Sequence, residues 1–275
     1  MHPRTAPTLP TQDMARTALL NIMVQAALKA GRGLARDFGE VENLQVSVKG
    51  PGNFVTAADH RAEEVLVAEL RKARPAWSIL TEEQGEIIGS DQSNRFIVDP
   101  LDGTTNFLHG IPLFAISIGL ERAGELVAGV IYNPVLNELT VAERGSGAFL
   151  NDHRLRVASR RELGEAVIAT GMPGVGRPGR EFFTAEHTAV AARVAGIRRS
   201  GSAALDLAWV AAGRYDGSWQ RGLQPWDVAA GIVVVREAGG TVTDIAGGDQ
   251  MLAGASIVAG NQHIHTALRA RLVAA

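Results

Sequence analysis

A chain of 275 residues, 46% hydrophobic and with a formal net charge of −2, can bury a large core and is too apolar for wholesale disorder. The absence of cysteine excludes disulfides, thiol nucleophiles and thiolate-bound zinc or iron–sulfur sites. The near-neutral charge gives no electrostatic reason to expect nucleic acid or an anionic membrane as a partner, and no apolar run approaches the roughly 20 residues that span a bilayer, so the expectation is a cytoplasmic protein.

Residues 1–10, with three prolines and no periodicity, read as a loose tail. Leu19, Ile22, Met23, Ala26, Ala27, Ala30 and Leu34 then recur at helical spacing, with Thr11 as the candidate cap. Asn43 to Val48 reads as a strand, Lys49 to Asn53 as a turn-rich loop, and His60 to Arg74 as a second helix. Ser78 to Leu80 and Phe96 to Val98 are brief apolar runs that end at acidic residues. Phe114 to Leu120, Leu126 to Tyr132 and Glu138 to Ala142 predict neighbouring antiparallel strands. Helical patterning returns at Phe182–Val194, Ala203–Ala212, Val228–Ala238 and Gln262–Leu272, with a strand at Ile257–Ala259. The expected organisation is one unit over 11–275, an α+β half to about residue 155 and an α/β half after it, in a layered α+β sandwich. The histidines, His60, His109, His263 and His265 among them, have no metal-ligand spacing and read as surface or rim residues.

The chemistry concentrates in Asp99-Pro100-Leu101-Asp102-Gly103-Thr104-Thr105-Asn106-Phe107, directly after the apolar run Phe96–Val98. A strand ending in Asp-x-x-Asp presents two carboxylates at a sheet edge; Pro100 stiffens the turn and Gly103 lets the backbone bend. Thr104 and Thr105 can open a helix whose free N–H groups favour phosphate, and hard oxygen ligands beside a phosphate cradle suit Mg²⁺. Glu82-Glu83 ends another short apolar run, and Asp227 follows Pro225-Trp226 just before a predicted helix, as a metal ligand or an N-cap. Taken singly, each of these is an ordinary turn, surface pair or cap; their combination is not.

Together these segments resemble the inositol monophosphatase family. Its first signature stands complete at Asp99–Phe107, and its second at Trp226-Asp227-Val228-Ala229-Ala230-Gly231. Thr81-Glu82-Glu83, Lys49 with Val55-Thr56-Ala57-Ala58-Asp59, and Gly201-Ser202-Ala203-Ala204 match further family segments. Bacterial members, including the extragenic-suppressor subgroup, are the most similar. The resemblance implies an α/β/α/β/α sandwich, a homodimer, and Mg²⁺-dependent hydrolysis of a small phosphorylated metabolite, foremost inositol-1-phosphate. It implies Glu82, Asp99, Asp102, Asp227 and the Leu101 carbonyl as metal ligands. It makes Glu82, or Thr104 paired with Asp59, the group that orients the attacking water. It places phosphate on Gly103 and Thr104, substrate on Gly201, Ser202, Ala203, Asp102 and position 220, and leaves Lys49 to balance charge.

Position 220 departs from the pattern: the inositol-recognising members carry Glu there, and this chain has Gln220. An amide keeps hydrogen bonding to a hydroxyl and loses the negative charge, which predicts weaker selectivity for inositol and disfavours the ammonium of histidinol phosphate. Fructose 1,6-bisphosphate and 3′-phosphorylated nucleotides are the other substrate candidates. Met172–Arg180, with Arg177 and Arg180, reads as a substrate rim or a plain surface turn. The clusters Arg154, Arg156, Arg160, Arg161 and Arg193, Arg198, Arg199 raise RNA or the transcription machinery as a partner of a different class. No aromatic interleaving supports that partner.

Overall fold

The computed structural model describes residues 16–40, 46–50 and 53–273. Helix α1 (Ala18–Phe38) is capped by Thr17, whose hydroxyl accepts from the Leu20 amide at 3.1 Å. The helix thus contains the whole periodic run Leu19–Leu34 but is capped at Thr17 rather than at the expected Thr11, which lies, with the proposed tail, outside the described residues. Strands β1 (Val46–Gly50) and β2 (Asn53–Thr56) pair antiparallel, so Lys49, expected in a loop, falls within a strand at a register break. Helix α2 (Ala57–Ala73) opens three residues earlier than expected. This puts Asp59 in its first turn, where a carboxylate complements the helix dipole.

Eight strands follow before residue 155, with one short helix among them. They are β3 (Trp77–Thr81), β4 (Gly85–Ile87), β5 (Asp91–Asp102), β6 (Ala115–Arg122), β7 (Glu125–Asn133), β8 (Glu138–Glu143), β9 (Gly147–Leu150) and β10 (His153–Arg154), with α3 (Thr104–Leu108) between β5 and β6. Counting only these from β3 onward, they make an eight-stranded sheet in the order β10-β9-β8-β7-β6-β5-β3-β4, antiparallel except where β3 runs parallel to β5. A second sheet has the order β12-β11-β13-β15-β14. Its strands are β11 (Val167–Gly171), β12 (Gly196–Arg198), β13 (Gly217–Arg221), β14 (Thr241–Thr243) and β15 (Ser256–Gly260). Helices α4 (Phe183–Ala191), α5 (Ala203–Ala211), α6 (Pro225–Glu237) and α7 (Gln262–Val273) complete the chain.

The layers follow from which faces are apolar. α1 and α2 bury one face of the large sheet, in a core that includes Met23, Leu34, Leu66, Phe96, Leu101 and Phe107. α5 and α6 fill the space between the sheets, and α4 and α7 cover the far face of the small sheet around Trp219 and Ile264. The result is the expected α/β/α/β/α sandwich. Strand β5 is buried on both faces, which is why Phe96-Ile97-Val98 reads as an unbroken apolar run rather than an alternating one.

The central α6 lies unusually close to its neighbours. A Cβ placed on Gly129 would meet the Ala230 carbonyl oxygen at 2.5 Å, one on Gly119 would meet Ala229 Cβ at 2.6 Å, and one on Gly231 would meet Leu207 Cδ1 at 2.3 Å. The small residues of Ala229-Ala230-Gly231 therefore serve helix–sheet and helix–helix approach. Two further expectations are corrected. Asp227 lies inside α6, which begins at Pro225 because proline suits a first helical turn. His265 is buried, 3% exposed, with Nε2 3.0 Å from the Thr243 hydroxyl, rather than at the surface.

Candidate active site

Asp99 and Asp102 are three residues apart, a spacing that points side chains to opposite faces of a regular strand. The pairing of β5 with β6 resolves this. Asp99 sits opposite Ser117 and Asp102 opposite Ala115, so three steps on β5 face two on β6. The extra residue is a bulge, tolerated at Pro100 because proline needs no ladder donor there. Leu101 turns into the core while its amide donates to Asp99 Oδ1 at 2.9 Å. Gly103 follows with φ of 103°, and an added Cβ would lie 2.9 Å from the Leu113 carbonyl oxygen.

Asp227 reaches the same place from α6. Its Oδ2 accepts the Gln224 amide at 2.7 Å, which closes the first turn, so the residue serves the helix end as well as the cluster. Ser117, opposite Asp99, donates its hydroxyl to the Trp226 carbonyl at 3.1 Å and ties that helix end to β6. Asp99, Asp102 and Asp227 each offer a carboxylate oxygen, and these lie within 4.8 Å of one another. Glu82, just past β3, is outside that triple, but its charge reaches Asp99 and Asp227.

The electrostatics follow from this crowding. Burial first, then Glu82, Asp102 and Asp227, drives the Asp99 carboxyl well above the ordinary range. Burial lifts Asp102 to about 6, and burial with the Asp102 charge lifts Asp227 to about 8. Carboxylates this close resist ionising together unless a cation neutralises them. The donor set is all oxygen and strongly anionic, which fits a hard divalent cation and offers nothing to a soft one.

A ring of partners orients the cluster. Ser202 donates to Asp102 Oδ2 at 2.7 Å, and the Ala204 amide does so at 2.6 Å. Ser202 Oγ also accepts the Leu205 amide at 3.2 Å as the cap of α5. The Gly201–Ala204 segment thus contacts Asp102 directly, and Ala203 is buried in the first turn of α5. The Thr104 hydroxyl lies 3.1 Å from Asp59 Oδ1 and 3.2 Å from the Leu101 carbonyl, so the expected Thr104–Asp59 pair is present. Gly201, Ser202 and Gln220 line a cavity of about 630 Å³ that Asp227 also borders. Gln220 crosses Gly171, where an added Cβ would sit 2.2 Å from its Nε2.

Three groups have roles that the sequence reading did not assign. Asn106 Nδ2 donates to the carbonyls of Leu113 and Ser200 at 2.6 and 2.7 Å, which fastens the first signature to the loop before α5. Asp206 is 2% exposed in α5, borders the cavity, and has one oxygen with no hydrogen-bond partner; burial lifts its carboxyl to about 8. Glu63, fully buried one turn beyond Asp59, accepts the amides of Glu83 and Gln84 at 2.9 and 3.0 Å and so holds the turn that carries Glu82. Glu63→Gln puts an NH₂ against one of those donors. The expected result is a Mg²⁺ affinity about tenfold weaker by calorimetry, in line with the usual effect of an outer-sphere partner. Unchanged affinity would show that the turn holds its place without Glu63.

Comparison with known proteins points the same way. Residues 15–275 match the model of the "Inositol monophosphatase family". The chain is 62% identical over 255 residues to a protein of Mesorhizobium japonicum named inositol-1-monophosphatase, covering 93% of this chain and 96% of the relative. It is 44% identical over 254 residues to the Nus factor SuhB of Escherichia coli, covering 92% and 95%. Among solved structures, the extragenic suppressor protein suhB of Bartonella henselae superposes with a TM-score of 0.90 at 60% identity, covering 93% of this chain and 98% of that one.

Proposed function

Because this chain belongs to the inositol monophosphatase family and is a phosphoric monoester hydrolase, we propose that its acidic pocket uses Mg²⁺ to release phosphate from inositol-1-phosphate. The observation that carries the reading is the convergence of Asp99, Asp102 and Asp227 oxygens within 4.8 Å beside a cavity large enough for a sugar-sized alcohol. In this reading Asp99, Asp102, Asp227, Glu82 and the Leu101 carbonyl hold the cation. The chemistry Mg²⁺ supplies when bound is charge for the phosphate oxygens and a water acidic enough to attack near neutral pH.

The chain's own residues do the rest. Asp59, fully buried against Thr104, holds that hydroxyl where it can orient the water and pass its proton; Glu82 is the second candidate for the same task. The Gly103 and Thr104 amides receive the phosphate. Ser202, committed to Asp102, keeps that carboxylate in place as the alcohol binds along Gly201, Ala203 and Gln220. Lys49 balances the charge of the anionic substrate. A homodimer in the cytoplasm completes the proposal. Among the described residues no helix is long and apolar enough to cross a membrane.

The test is phosphate release from inositol-1-phosphate, glycerol-2-phosphate, histidinol phosphate and adenosine 3′,5′-bisphosphate, with and without Mg²⁺. Mg²⁺-dependent turnover with inositol-1-phosphate among the preferred compounds is expected. No release from any of them at millimolar Mg²⁺ would sink the reading.

A second reading, favoured by the 44% identity to a protein named Nus factor, is a role with the transcription machinery. Its basic clusters are partly spent on structure: Arg160 pairs with the buried Asp216 at 3.1 Å, and Arg154 lies over the Phe149 ring.

A further inference from the structure

One wall of the cavity is a loop rather than a strand or helix: Met172 to Arg177, between the end of β11 and the start of α4, line it beside Gln220. The segment carries Gly174, Gly176 and Gly179, so it has little stiffness of its own. Its shape is set by contacts from the end of β13. Gln220 lies across Gly171, at the start of the loop. Gly222 packs so closely that an added Cβ would meet Pro173 Cβ and the Pro178 carbonyl oxygen at 2.9 Å. Between them stands Arg221. A Cβ on Gly179 would lie 2.7 Å from Arg221 Cβ and 3.0 Å from its Cδ, so the loop backbone rests along the arginine stem.

The head of that side chain is fixed on the α4 side. Arg221 Nε and Nη2 each lie 2.7 Å from Oε1 of Glu186, a buried residue in the first turn of α4. The guanidinium also covers the ring of Phe182, 4.7 Å from its centroid, at the far end of the loop. Alternation along β13 explains the division of labour: Trp219 packs in the core beneath α4, Gln220 borders the cavity, and Arg221 turns back to α4. A carboxylate buried as Glu186 is holds its cation firmly, because either charge left alone there is costly. One side chain therefore ties together β13, the loop and α4. Neither member of the pair belongs to the acidic cluster.

Resting on the phosphatase reading above, we propose that Arg221, braced on Glu186, is a positioning residue that holds the loop wall and Gln220 in register for the alcohol of the substrate. The phosphate end of the site is built on β5, α5 and α6 and does not depend on this brace. Loosening the wall weakens the grip on the alcohol equally in the ground state and the transition state, so it raises KM and leaves kcat in place.

The experiment measures kcat and KM for inositol-1-phosphate, and inhibition by inorganic phosphate, in wild type, Arg221→Met, Arg221→Lys and the double variant Arg221→Met/Glu186→Leu. The double variant leaves no buried charge unpaired, so it separates positioning from a failure to fold. Both variants with methionine are expected to raise KM about 5- to 10-fold, the scale of one misplaced hydrogen bond, with kcat and phosphate inhibition within about twofold. Arg221→Lys, which keeps a cation on Glu186, is expected to recover most of the loss. A wild-type KM in the double variant overturns the proposal, as does a parallel change in KM, kcat and phosphate inhibition; both leave the phosphatase reading intact. If wild type turns over nothing, the phosphatase reading fails and hydrogen exchange decides the brace. Amides of residues 174–182 that exchange about tenfold faster in the double variant support it, and unchanged exchange overturns it.

Discussion

Asp99→Asn is expected to lower Mg²⁺-dependent phosphate release at least 100- to 1000-fold, the usual scale for losing a group that stabilises transition-state charge, while making the metal-free protein more stable at pH 8. The two effects share one cause. Asp99 is 1% exposed and surrounded by Asp102, Asp227 and Glu82, so its charge is tolerable only beside a cation. Asparagine keeps the Oδ1 that accepts the Leu101 amide and removes the charge. The pH dependence has a definite sign. Asp102 and Asp227 titrate at about 6 and about 8 in the folded chain, above the ordinary value of 3.8, so the metal-free fold binds protons more tightly than the unfolded chain. That contribution is fully present below pH 3.8 and is lost as pH rises towards 8. From Asp102 alone the loss is on the order of 3 kcal/mol at most, and a few degrees of Tm per kcal/mol is typical for a chain of this size. Thermal denaturation at pH 5 and pH 8, with EDTA or with Mg²⁺, reads it. Mg²⁺ should raise Tm much more at pH 8 than at pH 5, and Asp99→Asn should flatten the difference. A metal-free wild type whose Tm is indifferent to both pH and the substitution would contradict the crowding described above.

Gly129→Ala is expected to cost about 1–3 kcal/mol and to depress kcat, although Gly129 lines no part of the cavity. The new methyl would meet Ala230 backbone at 2.5 Å, and backbone on a central helix cannot rotate away. Relief requires α6 to move off β7. Asp227 rides on the first turn of α6, and a shift of about 1 Å in a positioned group can cost about 100-fold in rate. Gly164→Ala is the control, since its Cβ would meet nothing within 4 Å. The outcome that separates cause from coincidence is kcat per folded molecule. If Tm falls while kcat holds, the placement of Asp227 does not depend on this contact.

The parts of the site that sequence made legible are those whose chemistry is local. Asp99-Pro100-Leu101-Asp102-Gly103 carries its bulge, its two clustered carboxylates and its left-handed glycine within five consecutive residues, and the pairing of Thr104 with Asp59 came with the family resemblance. What escaped depends on partners distant in the chain. Glu63 looks like any surface glutamate on a helix until the turn of Glu83 and Gln84 folds over it. Gly119 and Gly129 read as weak spots in strands, yet they are the clearance for a helix whose sequence starts far downstream. Asp206 follows helical patterning in a run of apolar residues, and nothing beside it announces a buried carboxyl. The errors in element ends share one reason: caps and first turns at Thr17, Ala57 and Pro225 are set by side-chain and tertiary contacts that periodicity does not register.

The long-range origin of the carboxylate triple has a consequence for how this protein is born. At common translation rates of about 5–20 residues per second, roughly 6–25 seconds separate the synthesis of Asp99 from that of Asp227. During that interval the bulge on β5 can form with β6, but its third carboxylate is not yet made. A ribosome-bound chain that stops short of α6 lacks both the helix that covers the inner face of the large sheet and the carboxylate it delivers. On the metal-binding proposal above, cation capture therefore belongs to the last stage of biogenesis, and a divalent ion would act on an almost finished molecule as a closing clasp rather than as a template for early folding.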